Sequence, residues 1–160
     1  KRAVELTGEA MEIFGGNGYV EEGVMGRLFR EAPVNSIWEG SGNVMCLDVM
    51  RAIGKAPELA HALLQDLGEG LGDDSRLREL LQSLVAMLRE PPDQLEALGR
   101  RFAERLVLLA QASLLRRQAP TAVADAFIQT RFDPHWGRVV GSLDTRALAV
   151  DAILQRAYPA

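Results

Sequence analysis

Cysteine is nearly missing from this 160-residue chain: Cys46 stands alone, so no disulfide can form within it. Histidine is almost as scarce. His61 and His135 are the only two, and together with a single thiol they cannot make up a zinc-type ligand set, so no metal is expected. Both scarcities fit a reducing compartment, and a cytoplasmic location is expected. No apolar run reaches the roughly 18–20 residues that a helix needs to cross a bilayer. Strand-like alternation of apolar and polar residues is nearly absent. No secretory leader pattern opens the chain, and its first residue, Lys1, already reads as helix interior. A piece of a longer polypeptide is therefore expected.

What is present is an ordinary globular composition, 48% hydrophobic and 25% charged, with a formal net charge of −4. The charge is uneven. Residues 55–99 hold nine carboxylates against four cations, whereas residues 100–160 hold nine arginines against five carboxylates. A one-sided basic segment in an acidic chain is a mild pointer to an anionic partner.

Helical spacing runs through most of the chain. "KRAVELTGEAMEIF" places Val4, Thr7, Met11 and Phe14 on one face and stops at Gly15–Gly16. "GGNGY" reads as a tight loop, "VMGRLFREA" as a short helix closed by Pro33, and "GNVMCLDVMRAI" as a helix ended by Gly54. "GKAPEL" has both Gly and Pro and is the expected hinge between residues 1–54 and 55–160. Beyond it, a helix starts near Pro57, and Asp74 or Ser75 can cap another that carries Leu77, Leu80, Leu81, Leu84 and Leu88. A long helix from Pro91–Pro92 to Pro120 has Leu95, Leu98, Phe102, Leu106 and Leu109 in register. "TAVADAFIQTRF" and "LDTRALAVDAILQRAY", the latter capped by Ser142 or Asp144, are two more, with "DPHWGRVVGS" as the loop between them. The expected fold class is all-α, a helical bundle of antiparallel helices packed through leucine-rich faces, followed by an additional α-helical domain.

One stretch carries chemistry. In "NSIWEGSGN", Glu39 lies between Trp38 and the small residues Gly40, Ser41 and Gly42, just ahead of a helix. Read locally, such a carboxylate can do no more than complement the dipole of the following helix. It does not stand alone, however: "GGNGY" and "RLFREA" precede it in order. "AMEIFGGNGYVEEGVMGRLFREAPVNSIWEGSGNVMCLDVMRAI" resembles the C-terminal helical domain of the acyl-CoA dehydrogenase family, over roughly residues 1–54. With "PVNSIWEGSGN", "MCLDVMR" and about a hundred further helical residues, it is closest to the AidB-like, adaptive-response branch related to isovaleryl-CoA dehydrogenases.

That resemblance implies an FAD-dependent enzyme acting on an acyl-CoA thioester. It makes Glu39 the catalytic base that removes the α-proton. It implies that Trp38, Glu39, Gly40, Ser41, Gly42 and Asn43 line the FAD site, that Gly15 and Gly16 meet the adenosine half of an FAD held mainly by a neighbouring subunit, and that the full-length protein is a homo-oligomer, in this family a homotetramer. A carboxylate confined between an aromatic wall and a flavin loses solvation, which raises its pKa toward the value such a base needs. Arg30 is expected to be an ion-pair partner in the helical core rather than a catalytic group. Glu12 and Gly42 depart from the family pattern, which commonly has Gln and Ser or Thr there.

Residues 55–160 hold no catalytic constellation. His61 reads as a partly exposed helix residue and His135, beside Trp136, as part of a structural turn. Arg100, Arg101, Arg105, Arg116 and Arg117 fall on one long helix, Arg131 and Arg138 follow, and Arg51 lies near the hinge. Taken singly these are a solvated helix face, with Glu96–Arg100 and Arg101–Glu104–Arg105 as local pairs. Taken together, and because the AidB-like branch is described as binding double-stranded DNA through its extra domain, they are candidates for phosphate contact. The alternative to an acyl-CoA dehydrogenase is therefore a DNA-binding flavoprotein with a vestigial active site. "VAMLREPPDQLEALGRR" lacks the broad apolar and basic face of a membrane-docking helix, so no membrane partner is expected.

Overall fold

The computed structural model describes residues 1–132 and 139–159, and every regular element among them is helical. The chain divides into two compact units, Lys1–Asp48 and Val49–Ala160. The loop expected at "DPHWGRV", with His135, Trp136 and Arg138, lies outside the described residues.

Unit 1 consists of α1 (Arg2–Ile13), α2 (Gly16–Tyr19), α3 (Met25–Glu31), a 3-10 helix over Ala32–Ser36 and the start of α4 (Gly42–Lys55). α1 stops where expected: Gly15 takes φ 57°, a left-handed value that a residue with a side chain rarely adopts, and its N–H bonds to Glu12 O at 2.9 Å. "GGNGY" is a single helical turn rather than an irregular loop, because Gly18 N–H reaches Gly15 O and Val20 N–H reaches Gly16 O. Pro33 does not close α3 but sits at the start of the 3-10 turn, where its missing N–H costs nothing. α1 packs against α2, α3 and the 3-10 helix. The buried residues at these contacts are small: Gly18, Gly26 and Ala32.

Unit 2 holds the end of α4 and then α5 (Pro57–Glu69), α6 (Ser75–Met87), α7 (Pro92–Ala97), α8 (Gly99–Gln118), α9 (Thr121–Phe132), a 3-10 turn over Thr145–Ala147 and α10 (Val150–Ala157). The 20-residue α8 is central and packs against α5, α6, α7 and α9. Leu64, Leu67, Leu77, Leu84, Phe102 and Leu109 form the heart of its closed hydrophobic core. Asp74 caps α6 as expected, its side chain accepting from Arg76 N–H at 3.0 Å. Of the leucine stripe on α6, Leu77 and Leu84 are fully buried, while Leu80, Leu81 and Leu88 pack at the margin.

Three helix boundaries differ from the sequence reading. Gly54 does not end α4, which runs to Lys55, so the hinge shrinks to Ala56 ahead of Pro57. The long helix from Pro92 is bent into α7 and α8 at Leu98, whose ψ of −1° departs from helical values, and Gly99 is buried there. Helical bonding nevertheless resumes through Phe102 N–H to Leu98 O at 2.9 Å. "LDTRALAVDAILQRAY" is two elements: Asp144 caps the 3-10 turn, and Leu148, at φ −104° and ψ 143°, separates it from α10.

Candidate functional site

Glu39 lies at the junction between the 3-10 helix and α4. Val34 O accepts from both Ile37 N–H (2.9 Å) and Trp38 N–H (3.1 Å), and Gly40 N–H closes the next turn on Ile37 O at 3.3 Å. Gly40 then takes φ 117°, a value open to glycine, which lets the chain reverse into α4. Ser41 precedes that helix, its carbonyl accepting from Met45 N–H at 3.0 Å. The first N–H groups of α4, on Gly42, Asn43 and Val44, have no intrahelical acceptor, as at any helix start.

The setting of Glu39 is apolar and open. Its carboxylate is exposed and has no hydrogen bond or ion pair among the described residues. Trp38 beside it is 68% exposed, Ile37 is 66% exposed, and Val44 and Met45 on the first turn of α4 are each 54% exposed. Trp38 through Asn43 thus form one continuous turn with an unengaged carboxylate rimmed by exposed hydrophobic side chains.

Gly15 and Gly16 sit at a different junction, between α1 and α2. Both are exposed, and a Cβ built at either would meet nothing within 4 Å, so a large group can approach that backbone closely. This is an observation in favour of the flavin fit, as is the open, unpaired face at Glu39. Glu12, one helical turn earlier, is exposed. Arg30 forms the expected ion pair, a two-pronged contact with Glu21 at 2.8 and 3.0 Å, but on the surface rather than in a core. The hydrogen bonds and charge of Arg30 hold the Glu21 carboxyl below its ordinary range.

Sequence reasoning missed Gly18. It is buried, and a Cβ there would overlap Met11 O and lie 3.0 Å from Phe14 Cβ. The third glycine of "GGNGY" was the signal. It also missed Ser113, buried on α8, which donates to Leu67 O at 2.9 Å across to α5, and the equally tight Gly70 against it.

The arginines do not form an open basic stripe. Arg116 pairs with Asp125 at 2.7 Å and lies 3.8 Å from Asp74, and Arg117 pairs with Asp66 at 3.1 Å. Arg105 donates to Ser83 at 3.1 Å, so the expected Arg101–Glu104–Arg105 pairing does not form, and neither does Glu96–Arg100. Arg131 donates to Thr130 and stacks over the Phe127 ring at 5.7 Å. Arg51 is exposed on α4. Arg100 and Arg101, exposed at the start of α8, have no ion pair or hydrogen bond among the described residues. Among those residues no group of His, Cys, Asp and Glu could hold a metal, and no helix is long and apolar enough to cross a membrane. A recess of about 410 Å³ in unit 2, walled by Ile53, Ala56, Leu59, Leu63, Phe102 and Leu106 among others, offers only hydrocarbon.

The all-helical architecture is consistent with a known class of domain. The family described as "Acyl-CoA dehydrogenase, C-terminal domain" matches residues 1–54. The chain belongs to the acyl-CoA dehydrogenase family. Within that family it is AidB-like: it is 39% identical over 137 residues to AidB of Escherichia coli (strain K12), a protein named as a candidate acyl-CoA dehydrogenase, a match covering 86% of this chain and 25% of that protein. It is also 34% identical over 94 residues to acyl-CoA dehydrogenase family member 11 of Caenorhabditis elegans, covering 56% of this chain and 15% of that one. Over 53 residues it is 36% identical to a cyclohexane-1-carbonyl-CoA dehydrogenase of Geobacter metallireducens, covering 33% and 14%. The chain thus spans a quarter or less of the length of the curated relatives it matches.

Proposed function

We propose that this chain forms the base-carrying end of an FAD-dependent acyl-CoA dehydrogenase, with residues 1–54 contributing to the active site and residues 55–160 forming an added helical domain. The observation that carries the reading is Glu39: an acidic side chain with no structural partner, set among exposed apolar residues at a helix junction within the segment that matches the family. A structural carboxylate at such a place would be expected to cap a helix or pair with a base, and this one does neither.

In the assembled protein Glu39 takes the α-proton of an acyl-CoA thioester. FAD, when bound, would supply the hydride acceptor for the β-carbon, while this chain would supply the base. Trp38 stands next to the carboxylate in the chain and is the side chain placed to keep water from it once the site is covered. Ser41 offers a hydroxyl, and the N–H groups of Gly42 and Asn43 offer donors, to the cofactor's polar edge. Gly15 and Gly16 leave room for its adenosine half. The exposed hydrophobic surface of unit 1 supports an oligomer, a tetramer by family analogy, in which other parts of the protein cover it.

Duplex-DNA binding by the arginines draws less support. Arg116 and Arg117 are already neutralised by carboxylates, which leaves Arg100 and Arg101 as the main candidates for phosphate contact.

The test uses the full-length protein and a panel of acyl-CoA thioesters. Bleaching of the flavin absorbance is expected with at least one of them, and Glu39→Gln is expected to keep the flavin yet slow bleaching by about 10²–10⁴-fold. Unchanged bleaching in Glu39→Gln would remove Glu39 from the reaction.

A further inference from the structure

We propose that Gly18, braced by the Glu21–Arg30 pair, is a positioning residue that sets the Gly15–Gly16 turn for the adenosine half of FAD; this rests on the functional reading above. The three glycines of "GGNG" differ in what surrounds them. At Gly15 and Gly16 an added Cβ would point into open space, whereas at Gly18 it would overlap the carbonyl oxygen of Met11, a backbone atom of α1. A flexible side chain could swing away from such a clash, but a helix carbonyl cannot. The first two glycines therefore keep a face open, and the third fixes the depth at which α2 seats on α1.

The turn has little freedom to absorb a shift. Gly18 N–H bonds to Gly15 O at 3.0 Å and Val20 N–H to Gly16 O at 3.2 Å, so residues 15–20 move together. Immediately beyond them, Glu21 receives both prongs of the Arg30 guanidinium, which ties the far end of the turn to α3. With one end seated on α1 and the other tied to α3, a methyl group at position 18 must displace the Gly15–Gly16 backbone as a unit.

The experiment compares the full-length wild-type protein with Gly18→Ala, Arg30→Ala and Gly70→Ala, measuring FAD dissociation constants and thermal midpoints on each. Gly70→Ala is the matched control. Its Cβ would overlap the Ser113 hydroxyl in unit 2, so it strains packing without touching the turn. Gly18→Ala is expected to weaken FAD binding by about tenfold or more while keeping wild-type helical circular dichroism. Arg30→Ala should weaken it by about two- to fivefold. Gly70→Ala should lower the midpoint and leave the affinity within about twofold. An affinity loss in Gly70→Ala equal to that in Gly18→Ala would overturn the proposal, since general instability would then explain both. If Gly18→Ala fails to fold, Arg30→Ala decides alone, and wild-type affinity there overturns the brace. A wild-type protein that takes up no FAD would instead overturn the functional reading beneath it.

Discussion

Phe102 in unit 2 is 1% exposed, while Trp38 in unit 1 is 68% exposed, and their neighbours follow the same division. Leu77, Leu84, Leu109 and Ile128 in unit 2 are completely buried, whereas Leu6, Ile13, Phe14 and Ile37 in unit 1 are each more than half exposed. Both units are helical and both have apolar side chains at helical spacing. The difference is that unit 2 surrounds its central helix, α8, with partners, whereas unit 1 makes its tightest contacts through Gly18, Gly26 and Ala32 and leaves its large side chains outward. Apolar side chains left outward in this way contribute little to a core of their own unit. Unit 2 has a buried core around α8, and unit 1 has none of comparable size.

The comparison is tested most severely in the closed unit. Phe102→Ala in the 160-residue chain should cost about 3–5 kcal/mol, because a buried aromatic leaves a cavity that packed helices fill only in part. Ile13→Ala, 84% exposed in unit 1, should stay within about 0.5 kcal/mol. Chemical denaturation of both variants checks this, and similar losses would mean that the two units are not built differently. Ser113→Ala comes next. It removes the donor to Leu67 O, which keeps only the Gly70 N–H at 3.2 Å, for an expected loss of about 0.5–1.5 kcal/mol.

How much of this could be read from the sequence follows the same division. In unit 2 the leucine spacing of α6 and α8 named the core directly, since a helix that must bury one face writes that face at intervals of three and four. The bend at Leu98 was not legible, because Leu95, Leu98, Phe102 and Leu106 keep one stripe straight across it. The arginine pairs were missed for a related reason: Arg117 and Asp66 are 51 positions apart, and only packing of α5 on α8 brings them together. In unit 1 the motif order pointed to Glu39, yet no periodicity could show that the surrounding hydrophobic residues face outward. That depends on what the unit meets, which its own spacing does not encode.

Acid should act through Asp74. Hydrogen bonds from the Arg76 side chain, then its charge and backbone donors, hold this carboxyl below its ordinary value of 3.8 against the opposing effect of burial. A depressed folded-state pKa contributes stability that is present above the unfolded value and lost as the pH falls through the folded one. Unit 2 should therefore weaken below about pH 4, and Asp74→Ala should flatten that part of the profile while costing about 0.5–2 kcal/mol near neutrality. A variant with an unchanged acid limb would show that the α6 cap has no part in it.

The smallest expected effect bears most directly on the open unit. Trp38→Ala in the 160-residue chain should change stability by no more than about 0.5 kcal/mol, since the indole is mostly in water and little apolar area returns to solvent when it is removed. The same substitution in the full-length protein should behave differently if Trp38 walls a flavin site: the flavin spectrum and its response to acyl-CoA should change although the fold is intact. A loss of about 2 kcal/mol in the isolated chain would place Trp38 in a core of its own unit. The contrast between a closed and an open unit would then fail at the residue next to Glu39, and with it the argument that this turn is left bare for a cofactor.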